Sequence, residues 1–130
     1  MVDRSGSMSL AWTHVKTWLE ALVDAYKIDG LTRKGGLVVW SSLILESATI
    51  LFTEGKSAEE LKTAIEDLPS PSGGTNGGLA LNYTYDNLFA VGSNPSVFRQ
   101  MIFISDGESQ TPLAGPAAQV MPDNLIDRFD

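Results

Sequence analysis

The sequence contains no cysteine, a single histidine and only 9 Lys or Arg residues against 16 Asp or Glu. Without cysteine there is no disulfide scaffold, no thiolate metal site and no cysteine nucleophile, although the compartment stays open. The net charge is −7 and no Lys/Arg cluster occurs. Phosphate binding needs clustered cations, so nucleic acid is not an expected partner. No apolar run reaches the roughly 20 residues that cross a bilayer, so this segment is not expected to insert directly into a membrane. No basic–apolar–small leader precedes the first motif. At 130 residues, 43% hydrophobic and 19% charged, the chain has the size and balance of one globular domain.

What is present is an alternation of short apolar runs with helical patterns. After Val2-Asp3 and the loop Arg4-Ser5-Gly6-Ser7, the spacing predicts a helix over 9–26. Val15, Trp18, Leu19, Leu22 and Tyr26 form its apolar stripe, and Trp12 lies on the flank. Ser7 and Ser9 are its candidate caps. Asp29-Gly30 breaks it. Leu37-Val38-Val39-Trp40 is a continuous apolar run, as expected for a strand covered on both faces. Residues 43–52 read as its antiparallel neighbour. Ser57 and Glu60 form a capping box for a helix ending near Pro69, with Leu61, Ile65 and Leu68 facing inward. The Pro/Ser/Gly-rich stretch 69–78 is loop. A helix over 79–89 and a second buried strand over 101–104 follow. Pro112, Pro116 and Pro122 break the remainder, which ends in a short helix at 124–129. Alternating strands and helices indicate an α/β fold. The expectation is an open, mostly parallel sheet with one antiparallel edge strand and helices on both faces.

Chemistry gathers in three loops. Asp3-Arg4-Ser5-Gly6-Ser7 carries one carboxylate and two hydroxyls in alternation, which places them on one side of an extended backbone. Gly73-Gly74-Thr75-Asn76-Gly77-Gly78 presents one threonine hydroxyl. Asp106 ends the second apolar strand. Ligands of open α/β sheets bind at such carboxyl ends of strands. Two carboxylates and three hydroxyls make an all-oxygen donor set, suited to Mg²⁺, Mn²⁺ or Ca²⁺ and not to zinc. Neutral hydroxyls leave a cation electrophilic enough to accept an external carboxylate. Glu108 and Asn76 read as loop residues, His14 as a surface residue, and the tryptophans as packing residues.

These segments resemble the von Willebrand factor type A family. "VDRSGSMS" is similar to its opening strand and loop, and "LVDAYKIDGLTRKGGLVVWSS" to its helix end and second strand. "LKTAIEDLPSPSGGTNGGLAL" is similar to its threonine loop, and "MIFISDGES" to its fourth strand and acidic loop. The resemblance implies a Rossmann-like fold with a metal-ion-dependent adhesion site. Asp3, Ser5, Ser7, Thr75 and Asp106 match its metal positions. The implied activity is non-enzymatic. A bound Mg²⁺ (or Mn²⁺ or Ca²⁺) would coordinate a Glu or Asp of a protein partner, in the extracellular matrix or at the cell surface.

Against the family pattern, few apolar residues precede Asp3 and little follows Asp106. Residues 1–130 are therefore expected to be a partial domain, with part of the first strand and the C-terminal strand–helix units lacking, any signal peptide lying upstream, and a tendency to aggregate. Gly35 stands where an apolar residue is usual. Three other readings compete: an intracellular assembly or chaperone-like subunit, a non-functional gene fragment, and a phosphoryl-transfer enzyme with Asp3 as nucleophile. The last lacks the partner acid or lysine that such nucleophiles use. An Asp3→Ala change is expected to remove cation binding with little loss of fold.

Overall fold

The computed structural model describes residues 1–91 and 96–106. The expectations for Glu108, the later prolines and the helix at 124–129 lie outside the described residues. The sheet is built around β1 (Val2–Asp3), which pairs in parallel with β2 (Val39–Trp40) in the register Val2↔Val39 and Asp3↔Trp40. On its other side Val2 forms a parallel bridge to Ile104. The Val2 and Arg4 amides donate to the Val38 and Trp40 carbonyls at 2.8 and 2.7 Å, and the Asp3 amide donates to Ile104 at 2.9 Å. β1 is thus central, as expected from the family resemblance. The segment 101–104 joins it through a single bridge and lacks a full ladder.

Beyond β2 the chain turns back antiparallel. Leu37 and Ile50 exchange both backbone bonds, at 2.9 and 2.7 Å, and Trp40 bridges Ile44. The expected strand over 43–52 is interrupted by single 3₁₀ turns at Glu46–Ala48 and Phe52–Glu54. Thr49 explains the first. Its hydroxyl accepts from the Val39 amide at 3.3 Å and donates to the Leu45 carbonyl at 3.0 Å, so a side chain takes the place of a ladder carbonyl.

All four residues 37–40 are buried, and they alternate between two cores. Leu37 and Val39 join Val2, Trp12, Leu19, Val23, Leu61, Ile65 and Leu68 in one cluster. Val38 and Trp40 join Ala80 and Leu88 in the other, where Trp40 stacks on Phe103 at 5.7 Å. This two-faced burial is why the run is apolar without alternation. The first face is covered by α1 (Trp12–Ala25) and α2 (Ala58–Glu66), the second by α3 (Gly77–Thr84) and the π-helical turn Tyr85–Phe89 that continues it.

The first helix departs from expectation in start and in face. It is preceded by a 3₁₀ segment, Gly6–Ala11, and no serine side chain caps either piece. Ser7 is committed elsewhere, to Asp106, and Ser9 donates back to the Gly6 carbonyl at 2.7 Å. The inward stripe is rotated towards Trp12, Leu19 and Val23. Trp18 and Tyr26, assigned to the stripe, are 48% and 42% exposed. Trp18 instead lines a groove with His14, Val15 and Phe103.

Gly35, the apolar position lost from the family pattern, has a packing reason. A Cβ there would lie 2.7 Å from Leu61 Cδ1, so a side chain at this position would require that methyl to move. Gly30 is held at φ +75 against the Gly55 and Lys56 carbonyls, where a Cβ would collide with backbone. Among the described residues no helix is long and apolar enough to cross a membrane.

The capping box of α2 forms in both directions. The Ser57 hydroxyl accepts from the Glu60 amide at 3.3 Å, and Glu60 accepts from the Ser57 amide at 2.8 Å. Ser57→Ala is expected to cost about 1 kcal/mol, read as a lower urea midpoint at unchanged slope; an unshifted midpoint would remove the cap from the account of α2.

Candidate functional site

Because β1 lies between β2 and the 101–104 segment, the ends of all three emerge on one side of the sheet. Asp3 closes β1 and is fully buried. Its two carboxylate oxygens face different loops. Oδ1 accepts from the Ser5 amide at 2.7 Å, and Oδ2 accepts from the Ser105 hydroxyl at 2.7 Å. Two oxygens carry about four acceptor positions, so two donors leave capacity for another partner. Both donors are neutral.

Ser5, also buried, extends the site outward. Its hydroxyl lies 3.1 Å from that of Ser7, and the Ser7 hydroxyl donates to Asp106 Oδ1 at 2.9 Å. Since the single Ser7 proton goes to Asp106, Ser5 is the donor in the first contact. The structure therefore brings four of the five sequence-assigned residues, Asp3, Ser5, Ser7 and Asp106, into one hydrogen-bonded chain. It runs from a buried carboxylate to an exposed one.

Among the described residues Thr75, the fifth, makes no hydrogen bond to this cluster; only its loop is brought near. Its loop docks on the Asp3 loop: the Gly6 amide donates to the Gly73 carbonyl at 3.0 Å, and the Ser72 amide donates to the Arg4 carbonyl at 2.7 Å. One residue after Thr75, the Asn76 side chain caps α3 by accepting from the Leu79 amide at 3.3 Å. Asn76 was read as a loop residue and acts here as a helix cap.

Sequence reasoning missed four contributors. Ser105 holds Asp3. Arg4 donates through Nη2 to the Ser70 carbonyl at 2.7 Å and the Ser72 hydroxyl at 3.1 Å. Ser41 and Ser42, at the end of β2, hold the glycines and asparagine around Thr75. The available signal is position: Ser105 and Ser41-Ser42 stand at the ends of apolar runs, where ligands of open α/β sheets bind.

Burial bears on the choice of probe. Replacing Asp3 by alanine removes the side-chain acceptor of the buried Ser5 amide, at about 1–3 kcal/mol for an unsatisfied group, so Asp3→Asn is the more conservative variant.

The donor set can be tested for fit to a cation. Among the described residues no group of three or more His, Cys, Asp or Glu is placed to hold a metal. The cluster carries two carboxylates, and hydroxyls make up the rest of its donors. All are oxygens, and this suits a hard divalent cation. The salt bridges among the described residues lie elsewhere, where Lys62 meets Asp24 at 2.6 Å and Glu59 at 3.9 Å.

Known proteins resemble the chain over most of its length. The sequence model for the von Willebrand factor type A domain matches residues 1–129. Mouse von Willebrand factor A domain-containing protein 1 is 36% identical over 132 residues, covering 99% of this chain and 31% of that protein. Mouse matrilin-1 is 31% identical over 100 residues, covering 74% of this chain and 19% of the relative. The human collagen alpha-1(VI) chain is 29% identical over 146 residues, covering 100% and 14%. The chain thus spans less than a third of the length of these curated relatives. Among solved structures, proximal thread matrix protein 1 from the mussel byssus superposes with a TM-score of 0.72 at 25% identity, over 84% of this chain and 29% of its own. The same mussel protein has been solved with a zinc-occupied MIDAS motif; there too the TM-score is 0.72 and the identity 25%, over 90% of this chain and 32% of that one. A match running from the first residue almost to the last, beside a relative at 36% identity, makes this chain a member of the von Willebrand factor type A domain family.

Proposed function

We propose that this chain is a divalent-cation-dependent protein-binding module, and not an enzyme. The observation that carries the reading is the hydrogen-bonded cluster of Asp3, Ser5, Ser7 and Asp106 at the carboxyl end of the central strand. Among the described residues the buried Asp3 carboxyl group is held by two neutral donors and keeps acceptor capacity that a cation could use. Asp3, Ser5, Ser7, Thr75 and Asp106 would hold the cation. Bound there, it would supply an electrophilic centre that takes a Glu or Asp carboxylate from a partner protein.

The division of charge supports this role. Asp3 is buried and Asp106 exposed, so one carboxylate anchors while the other meets solvent. The hydroxyls of Ser5, Ser7 and Thr75 would add oxygens without adding charge, so the site would stay close to neutral instead of anionic and remain open to an incoming carboxylate. No arrangement of nucleophile with base supports turnover at these residues. Oxygen donors favour Mg²⁺, Mn²⁺ or Ca²⁺. Zinc at the mussel protein's motif makes that ion the competitor to include in titrations. Relatives that include a collagen chain and a thread matrix protein support a place outside the cell, in matrix or at the cell surface.

Calorimetric titration with Mn²⁺ tests the reading. Asp3→Asn is expected to lower affinity by more than about 100-fold, or about 2.7 kcal/mol; heats equal to those of the parent would sink the assignment. Ser105→Ala, which removes one donor to Asp3 without touching the cation, is expected to weaken Mn²⁺ binding by roughly tenfold. Thr75→Ala should weaken the cation by about tenfold as well, and should reduce Mg²⁺-dependent, EDTA-sensitive retention of matrix proteins by a larger factor. Equal losses in the two assays would contradict a role for Thr75 in ligand capture.

A further inference from the structure

The Thr75 loop is fastened at more points than a flexible glycine-rich sequence suggests. The 73–74 peptide unit and the 75–76 peptide unit, which flank the Gly74-Thr75 pair, are both bonded to the turn that ends β2. The Gly74 amide donates to the Ser42 hydroxyl at 2.8 Å, and the Asn76 amide donates to the Ser41 carbonyl at 2.9 Å. Asn76 Nδ2 adds a bond to the Ser42 carbonyl at 3.3 Å. The turn is itself closed, since the Ser41 amide donates to the Leu43 carbonyl at 3.0 Å. Gly73, at φ +85, brings its backbone against both serine hydroxyls, and a Cβ there would lie 3.2 Å from Ser41 Oγ and 3.3 Å from Ser42 Oγ.

Each peptide unit is a rigid plane. Holding the 73–74 and 75–76 planes leaves only the short Gly74–Thr75 link between two anchors, and this restricts where the Thr75 Cα and its side chain can lie. These anchors engage residues 73, 74 and 76 and leave the Thr75 side chain out. We infer that Ser42 is a positioning residue for the Thr75 hydroxyl: its own hydroxyl, through the Gly74 amide, holds the threonine loop in the geometry that presents Thr75 to the cation site. Ser42 does not touch the cluster of Asp3, Ser5, Ser7 and Asp106. It acts through Thr75. The inference rests on the proposed cation site for its consequence, and on the Gly74–Ser42 bond for its mechanism.

Ser42 is exposed, so its truncation leaves both cores intact. The test uses the full chain with Ser42→Ala, Ser42→Thr, Thr75→Ala and the Ser42→Ala/Thr75→Ala pair. Two readouts are taken, the Mn²⁺ dissociation constant and the hydrogen-exchange rate of the Gly74 amide. Ser42→Ala is expected to speed Gly74 exchange and to weaken Mn²⁺ by up to about tenfold. Ser42→Thr, which keeps the hydroxyl, should return both towards the parent. On the Thr75→Ala background Ser42→Ala should add no further loss, because the group it positions is gone. An equal loss in both backgrounds would overturn the inference, as would Gly74 exchange unchanged by Ser42→Ala. If the parent chain binds no Mn²⁺, the proposed cation site fails, and Gly74 exchange alone decides whether Ser42 holds the loop.

Discussion

The Asp3 carboxylate is the constraint around which the rest is arranged. It stands at the end of a strand bonded on both sides, by Val38 and Trp40 on one edge and Ile104 on the other. Its burial follows from that central position in the sheet. Two neighbouring segments then supply its hydrogen bonds, the Ser5 amide from the loop that follows and the Ser105 hydroxyl from the adjacent strand end. A central position makes both donors available at once. At a sheet edge, a donor from a second neighbouring strand end would be absent.

The same centrality aligns the surrounding loops. Parallel neighbours run in one direction, so the ends of β1, β2 and the 101–104 segment open on the same side. Ser5 and Ser7 leave from the first, Ser41 and Ser42 from the second, Asp106 from the third. The threonine loop belongs to none of these strands. It is brought in by side-chain and backbone bonds from Arg4, Gly6, Ser41 and Ser42. The cluster's positions are thus dictated by sheet topology, whereas the threonine loop is docked by hydrogen bonds, and the two kinds of placement should differ in stiffness.

Much of this was legible in the sequence, for reasons that vary by element. The run at 37–40 announced a strand covered on both faces because all four side chains are apolar, and they divide between two cores. Ser57 and Glu60 announced a helix start because the capping box is a local exchange of two bonds. The pairing of Ser7 with Asp106 across 99 residues was legible only through family resemblance, since no local rule links those positions. Three features were misread. The serines after Asp3 looked like helix caps, yet their hydroxyls are turned to the cluster and back to Gly6. The α1 stripe was rotated because Trp18 and Tyr26 were weighted by hydrophobicity, and both are exposed. Thr49 broke an apolar strand through its hydroxyl, which a count of β-branched residues cannot reveal.

The acidic composition and the proposed partner pull in opposite directions. A chain of net charge −7 repels a carboxylate at long range. At physiological salt that repulsion is screened beyond about 8 Å, so it shapes the approach and not the contact. At the contact the sign is set locally. A dication beside two carboxylates would be close to neutral in formal charge, and neutral hydroxyls complete its shell where further carboxylates would have made the site anionic. The use of Ser5, Ser7 and Thr75 in place of more acids is then what would let an acidic surface hold an acidic side chain. Specificity must come from the loops around the cation, because the central contact is the same for any exposed Glu or Asp. If the cation site holds, the anchoring of the threonine loop by Ser42 would bear on the shape of that rim.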